Sequence, residues 1–312
     1  MLVDVLSLCA RHGRWLLVGG LVAGIALPAL AEAMRPLIAP MVVFLLFLAV
    51  LRLGTEGVRA GLSGVRGAGL SVLGLQLVLP LGAVAVFGGL GWLGHPLALG
   101  VVLMLAAAPI TGSPNLAILA GAAPAPALRQ LVLGTALLPL TALPVFWFIP
   151  AFGSPGAVVW AVLKLLALIA LAGGLALGLR AWGLVRGDAR AHAAMDGLAA
   201  LTLGVVVIAL MSAVGPALTG GGGFWSTLAV VMGANLALQI GVSRLARPAS
   251  AVAAPAMGIT AGNRNVALFL GVLPEPAVEM LLLFIGCYQI PMYLTPLLLT
   301  GYYRRLAAHK DT

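Results

Sequence analysis

Two short segments hold most of the polar chemistry buried in the apolar stretches of this 312-residue chain. One reads Pro109-Ile-Thr-Gly-Ser-Pro-Asn115, the other Pro255-Ala-Met-Gly-Ile-Thr-Ala-Gly-Asn-Arg-Asn265. Proline removes a backbone donor, and glycine permits left-handed or extended backbone. Pro109 and Pro114 with Gly112 between them should unwind one helix near its middle; Gly258 and Gly262 should do so in the other. An unwound helix offers half-helix N-termini to anions and free carbonyls to cations. Where the breaks cross, Thr111, Ser113 and Asn115 would face Thr260, Asn263, Arg264 and Asn265. The plainer reading is a pair of proline kinks packed by neighbouring helices, but two breaks at matched positions, one carrying Asn-Arg-Asn, favour a binding site.

Arg264 is the sharpest residue. A charge at bilayer depth costs at least ~2.5 kcal/mol on insertion scales and must face the interior with partners. The eight acids, Asp4, Glu32, Glu56, Asp188, Asp196, Glu275, Glu279 and Asp311, all fall at span ends or in loops. Exposed carbonyls, Asn side chains or an anionic substrate are left as partners, so Arg264 is expected to staple the broken helix, contact substrate, or both. Hydrolysis would need a Ser/His pair, two aspartates or metal ligands at depth. The apolar stretches contain none of these, so the chain does not read as an enzyme. His12, His95, His192 and His309 lie near ends or loops and form no metal cluster. Cys9 and Cys287 fit neither a disulfide framework nor metal-ligand spacing.

These residues sit in a chain that is 62% hydrophobic and 8% charged, against about 25% charged in soluble domains. That is the composition of an integral membrane protein. Ten spans of roughly 20 apolar residues can be drawn: 15–31, 37–53, 68–92, 97–121, 127–149, 157–179, 197–217, 225–243, 251–273 and 278–301. The first apolar stretch reads as a span rather than a cleaved leader. With both termini cytoplasmic, all 17 basic residues except Arg35, Lys164 and Arg264 fall on the inside, as the positive-inside rule requires. The inside set is Arg11, Arg14, Arg52, Arg59, Arg66, Arg129, Arg180, Arg186, Arg190, Arg244, Arg247, Arg304, Arg305 and Lys310. The net charge of +9 then faces anionic lipid heads and needs no nucleic-acid partner. The longest polar link is 180–196, and Gly220 to Gly223 form a flexible loop. Lys164 is expected to snorkel to the outer interface, Gln76 and Gln289 to act as interhelical glue, and Tyr288, Tyr293, Tyr302 and Tyr303 to pack or anchor.

The chain divides near Phe152-Gly-Ser-Pro-Gly156. Residues 1–152 and 153–312 hold five spans each, so the second half starts on the opposite side of the membrane. The expected fold is all-α: ten transmembrane helices as two inverted five-helix repeats, with crossing discontinuous helices 4 and 9. Paired broken helices in such halves are the best sequence pointer to a transporter's binding site.

This pattern resembles the bile acid:sodium symporter family, within the wider group of bile acid, arsenite and riboflavin-type carriers, over essentially the whole chain. Ala108-Pro109-Ile-Thr-Gly-Ser-Pro-Asn115 looks like its fourth-helix stretch, Gly262-Asn-Arg-Asn265 like its ninth-helix Gly-Met-Gln-Asn, and Gln76 before Pro80 like its third-helix Gln near a sodium site. The resemblance implies two sodium ions at the crossing, touched by an acidic residue in the ninth helix. Here Thr260 stands at that position and Arg264 replaces the Gln. Asn115 is kept, while the fifth-helix hydroxyl positions read Leu128 and Val132, with Thr135 the nearest substitute. Gln76, Asn115, Thr135, Thr260 and Arg264 thus form an ion site or its remnant. A carboxylate is lost and a guanidinium gained, so sodium coupling should be weakened or absent, with Arg264 filling the second position as a fixed cation. No cofactor is expected, and Na+ is doubtful.

The expectation is a secondary transporter of a small or amphipathic organic anion, multi-pass in the cell (inner) membrane, working by alternating access. The alternatives are a sodium-dependent symporter using Asn115, Gln76 and backbone carbonyls, a different ten-helix metabolite carrier with continuous fourth and ninth helices, and a channel or sensor.

Overall fold

The computed structural model describes residues 2–185, 187–220 and 223–308. Arg186, Gly221, Gly222, His309, Lys310, Asp311 and the side chain of Arg14 lie outside the described residues. Within them the chain is helical, with no strand beyond one isolated bridge.

In chain order the helices are α1 (Leu2–Arg11), α2 (Gly13–Ala26), α3 (Pro28–Met34), α4 (Ile38–Gly61), α5 (Val65–Leu73), α6 (Leu79–Gly89), α7 (Pro96–Ala106) and α8 (Ser113–Leu119). They continue with α9 (Pro124–Trp147), α10 (Pro155–Ala181), α11 (Ala189–Leu210), α12 (Val214–Thr219), α13 (Phe224–Ala246), α14 (Ala254–Gly262), α15 (Glu275–Leu298) and α16 (Thr300–Ala308). Among the described residues, seven helical runs are long and apolar enough to cross a membrane: 28–61, 65–89, and α9, α10, α11, α13 and α15. Their outward faces carry exposed Leu70, Val78, Leu140, Leu171 and Leu175, which a bilayer covers without cost. All six tryptophans are exposed, at or near helix ends, where amphipathic rings meet lipid headgroups. The protein is a multi-pass α-helical membrane protein.

Several expected boundaries move. The span drawn as 15–31 ends at Ala26, because Pro28 has no N–H to continue the ladder and instead opens α3. From Pro28 the chain is helical for 34 residues to Gly61, through a 3-10 turn at Arg35–Leu37, so the span drawn as 37–53 is the middle of a longer run. Arg35 bridges Glu32 at 3.1 Å and Glu279 at 3.3 Å. Gly54 kinks this run with φ 63°, a backbone conformation that favours glycine. The polar link drawn as 180–196 shrinks to residues 182–188, because Asp188 caps α11 through Ala191 N at 2.7 Å. Ser154 likewise caps α10, accepting from Ala157 N, and so ends the connection near the chain's midpoint. Lys164 is exposed on α10.

The packing frames a central core. α13 lies along α14 and α15, α11 along α1, α2 and α4, and α9 against α8, α10 and α14. Phe146, Phe269, Phe284 and Tyr288 are fully buried between them.

Candidate functional site

The two interruptions meet. Beyond Ala106 the backbone turns extended, and residues 108–110 run antiparallel to 263–265. Asn265 N donates to Ala108 O at 2.7 Å, and Ile110 N donates to Asn263 O at 3.0 Å. Pro109 pairs with Arg264 in the position between these bonds, where the strand ladder asks for no donor, so its missing N–H costs nothing. Thus Pro109 breaks its helix and is then seated in the partner break.

Two helices end at this crossing with their carbonyls unsatisfied. The Arg264 guanidinium reaches both. Its Nε donates to Ala261 O and one Nη to Ala107 O, each at 2.9 Å. A cation at two helix C-termini is favoured by both macrodipoles and by the orphan carbonyls there. Tyr288 of α15 completes the arrangement: its hydroxyl donates to Gly262 O and accepts from Arg264 N at 2.9 Å. The second Nη of Arg264 is buried without a partner, on a side chain that is 2% exposed.

A cavity of about 880 Å³ adjoins the crossing. Thr111, Asn115, Arg264 and Asn265 line it. The other expected site residues do not. Ser113 is fully buried with its hydroxyl unpartnered. Thr260 is fully buried and its hydroxyl bonds back to Met257 O at 3.0 Å. Asn263 is spent on Ile259 O at 2.7 Å and on Asn235. Gln76 is buried and donates to Gly134 O of α9 at 3.2 Å, the interhelical bond expected of it, while its Oε1 has no partner. Thr135 is half-buried, next to Gly134, away from the cavity lining. Gln289 is not glue: it bonds Ile285 O of its own helix at 3.2 Å and lines the cavity.

The ninth break is also shorter than its glycines suggested. Residues 254–262 are helical, and only Asn263–Asn265 are unwound before a 3-10 segment, Val266–Gly271. Gly258 and Gly262 serve packing against α13 instead.

That interface holds a polar network which the sequence reading missed. Asn235 Nδ2 donates to Gly262 O at 2.6 Å, capping the end of α14. Gln239 donates to Asn235 Oδ1 and to the Thr295 hydroxyl, and Tyr303 donates to Gln239 Oε1 at 2.6 Å. All four side chains are buried. Asn235, Gln239 and Ser243 recur every four residues in an apolar helix, a one-face polar stripe that periodicity alone would have marked. Interhelical hydrogen bonds in membranes average only ~0.6 kcal/mol, but Asn235 joins four partners, Gly262, Asn263, Gln239 and Thr295. Asn235→Leu is therefore expected to cost about 1–3 kcal/mol, read as a lower melting temperature in detergent; an unchanged melting temperature would show that water replaces the amide.

Among the described residues no group of three His, Cys, Asp or Glu could hold a metal ion. Cys287 is buried and Cys9 half-buried, both free. Compared with known protein families and with curated proteins, the chain matches none.

Proposed function

We propose that this protein is a secondary carrier of a small or amphipathic organic anion, working by alternating access. The observation that carries the reading is the Arg264 guanidinium, bonded to the carbonyl ends of α7 and α14 and left with one unpartnered Nη, on a residue that lines the cavity. A buried unpaired donor is costly, and a carboxylate or sulfonate would satisfy it. The lining is otherwise mainly apolar: Leu45, Leu48, Val206, Val207 and Leu210 are among its residues.

The same reading takes the chain as ten transmembrane helices in two inverted five-helix repeats, halves 1–152 and 153–312, with both termini cytoplasmic in the cell (inner) membrane. The paired breaks support it. It would make the chain a divergent relative of the bile acid:sodium symporters, one in which a guanidinium stands where a cation would bind. The breaks at 107–112 and 263–265 also favour such a carrier over a metabolite carrier with continuous helices.

A sodium-dependent symporter is the second reading, and one observation favours it: Gln76 Oε1 and Ser113 Oγ are buried oxygens without partners, which a small cation would coordinate. Proteoliposome counterflow of taurocholate and 1-naphthalenesulfonate separates the two. Uptake in choline buffer within about twofold of that in sodium is expected, since no step needs the ion. Collapse in choline would select the symporter, and absence of saturable counterflow would exclude a carrier for these anions.

A further inference from the structure

A second arginine stands at the far end of the same cavity. Arg52 of α4 and Asp196 of α11 both line it. They form an ion pair, with Arg52 Nη2 donating to Asp196 Oδ2 at 3.1 Å, while Nε lies against Oδ1 without a hydrogen bond. Along α11 the lining runs from Leu210, beside α15 at Gly286, to Asp196. Fourteen residues at helical rise span ~20 Å. Tyr288, which holds Arg264, is on α15 half a turn beyond Gly286, so the two arginines lie at opposite ends. Arg264 is 2% exposed, while the Arg52 and Asp196 side chains are 41% and 38% exposed: one end is closed and the other is the mouth.

The mouth arginine is held in place by a third. The Gly54 kink interrupts the ladder just beyond Arg52, and Arg180 of α10 takes up the freed carbonyls, through Nε to Leu51 O at 2.8 Å and Nη2 to Arg52 O at 3.4 Å. Its Nη2 also meets His192 Nε2 at 3.1 Å. His192 and Asp196, one turn apart on α11, thus face Arg180 and Arg52. Arg180 positions the Arg52 backbone; Arg52 alone of the two lines the cavity.

We propose that Arg52 is a second anion-binding position at the cavity mouth, and that Asp196 is a resident carboxylate which the substrate's carboxylate or sulfonate displaces there. This rests on the anion-carrier reading. A planar guanidinium fork matches a carboxylate two oxygens to two nitrogens; Asp196 satisfies only one prong and leaves Nε without a hydrogen bond, so a substrate head could fill the fork better. Half-exposed pairs of this kind are weak, so exchange is cheap in both directions, as a passage site requires. Asp196 sets the affinity: it competes with the substrate, and by neutralising Arg52 in the empty protein it keeps the mouth from retaining anions.

Equilibrium binding of radiolabelled taurocholate and 1-naphthalenesulfonate to the purified full chain tests this in wild type, Asp196→Asn and Arg52→Gln. Asp196→Asn is expected to tighten binding and Arg52→Gln to weaken it, each about tenfold. A merely structural clamp predicts the same direction for both, since each breaks the same pair; that result, or no change in either, overturns the proposal. Should Arg52→Gln fail to fold, Asp196→Asn decides alone, with tighter binding in support and equal or weaker binding against. If wild type binds neither probe, the carrier reading itself falls; if wild type binds and the variants shift together, only the role of Arg52 falls.

Discussion

Substituting Arg264 by alanine is expected to abolish anion flux and to destabilise the protein, for two separable reasons. The stability loss comes from Ala107 O and Ala261 O, which lose their donors at the buried ends of α7 and α14. Each stranded group costs about 1–3 kcal/mol, so a loss of about 2–6 kcal/mol is expected. The flux loss comes from a guanidinium that lines the cavity and has one Nη without a partner. A charge-assisted bond to an anion worth up to about 3 kcal/mol corresponds to roughly 100-fold in affinity. Arg264→Lys separates them. An ammonium keeps the charge but is a point donor rather than a fork, so it is expected to regain measurable anion binding while remaining less stable than wild type. In Arg264→Gln, sodium is expected to raise the melting temperature, because the carbonyl ends then lack their cation; in wild type it is expected to have no such effect. A folded Arg264→Met protein with wild-type taurocholate counterflow would reduce Arg264 to a staple.

The meeting of the two interruptions was legible because its letters are local. Pro109, Pro114 and Asn263-Arg264-Asn265 stand out against apolar neighbours, and the absence of a deep carboxylate left backbone carbonyls as partners for Arg264. The pairing of Pro109 with Arg264 was not legible residue by residue, since it joins positions far apart in sequence through backbone bonds that no side chain advertises. Thr260 and Asn263 stay out of the cavity lining for a related reason: their types suit a site, but the helix continues to Gly262 and turns them into its own hydrogen bonds. Arg52 obeys the positive-inside rule and Asp196 lies in the polar link drawn as 180–196; that they meet follows from α4 packing against α11. Tyr288 carried no signal beyond being aromatic, yet its hydroxyl holds the break.

Gly258→Ala is expected to cost about 1–3 kcal/mol and to weaken anion binding, although residue 258 touches no cavity. α14 lies against α13 so closely that a Cβ at 258 would overlap the backbone oxygen of Gln239 and come within 2.8 Å of Ser243 Cβ. One turn on, a Cβ at 262 would overlap the Gln239 side chain and lie 2.9 Å from Asn235 O. Glycines four apart let two helix backbones approach this way, which is why Gly258 lies inside a helix where its flexibility is a disadvantage. The obstacle is a backbone atom, so it cannot rotate away and α14 itself must shift. That displaces Gly262 from Asn235 and carries Asn263 and Arg264 with it, away from Ile110 and Ala107. Ser243→Gly in the Gly258→Ala background removes the lesser obstacle only, and is expected not to restore stability. Gly241→Ala on α13 is the control: a Cβ there meets nothing within 4 Å, and alanine is the better helix former, so it should be neutral or stabilising. If Gly258→Ala melted and bound taurocholate like Gly241→Ala, the close approach of α13 and α14 would not be what sets the position of Arg264.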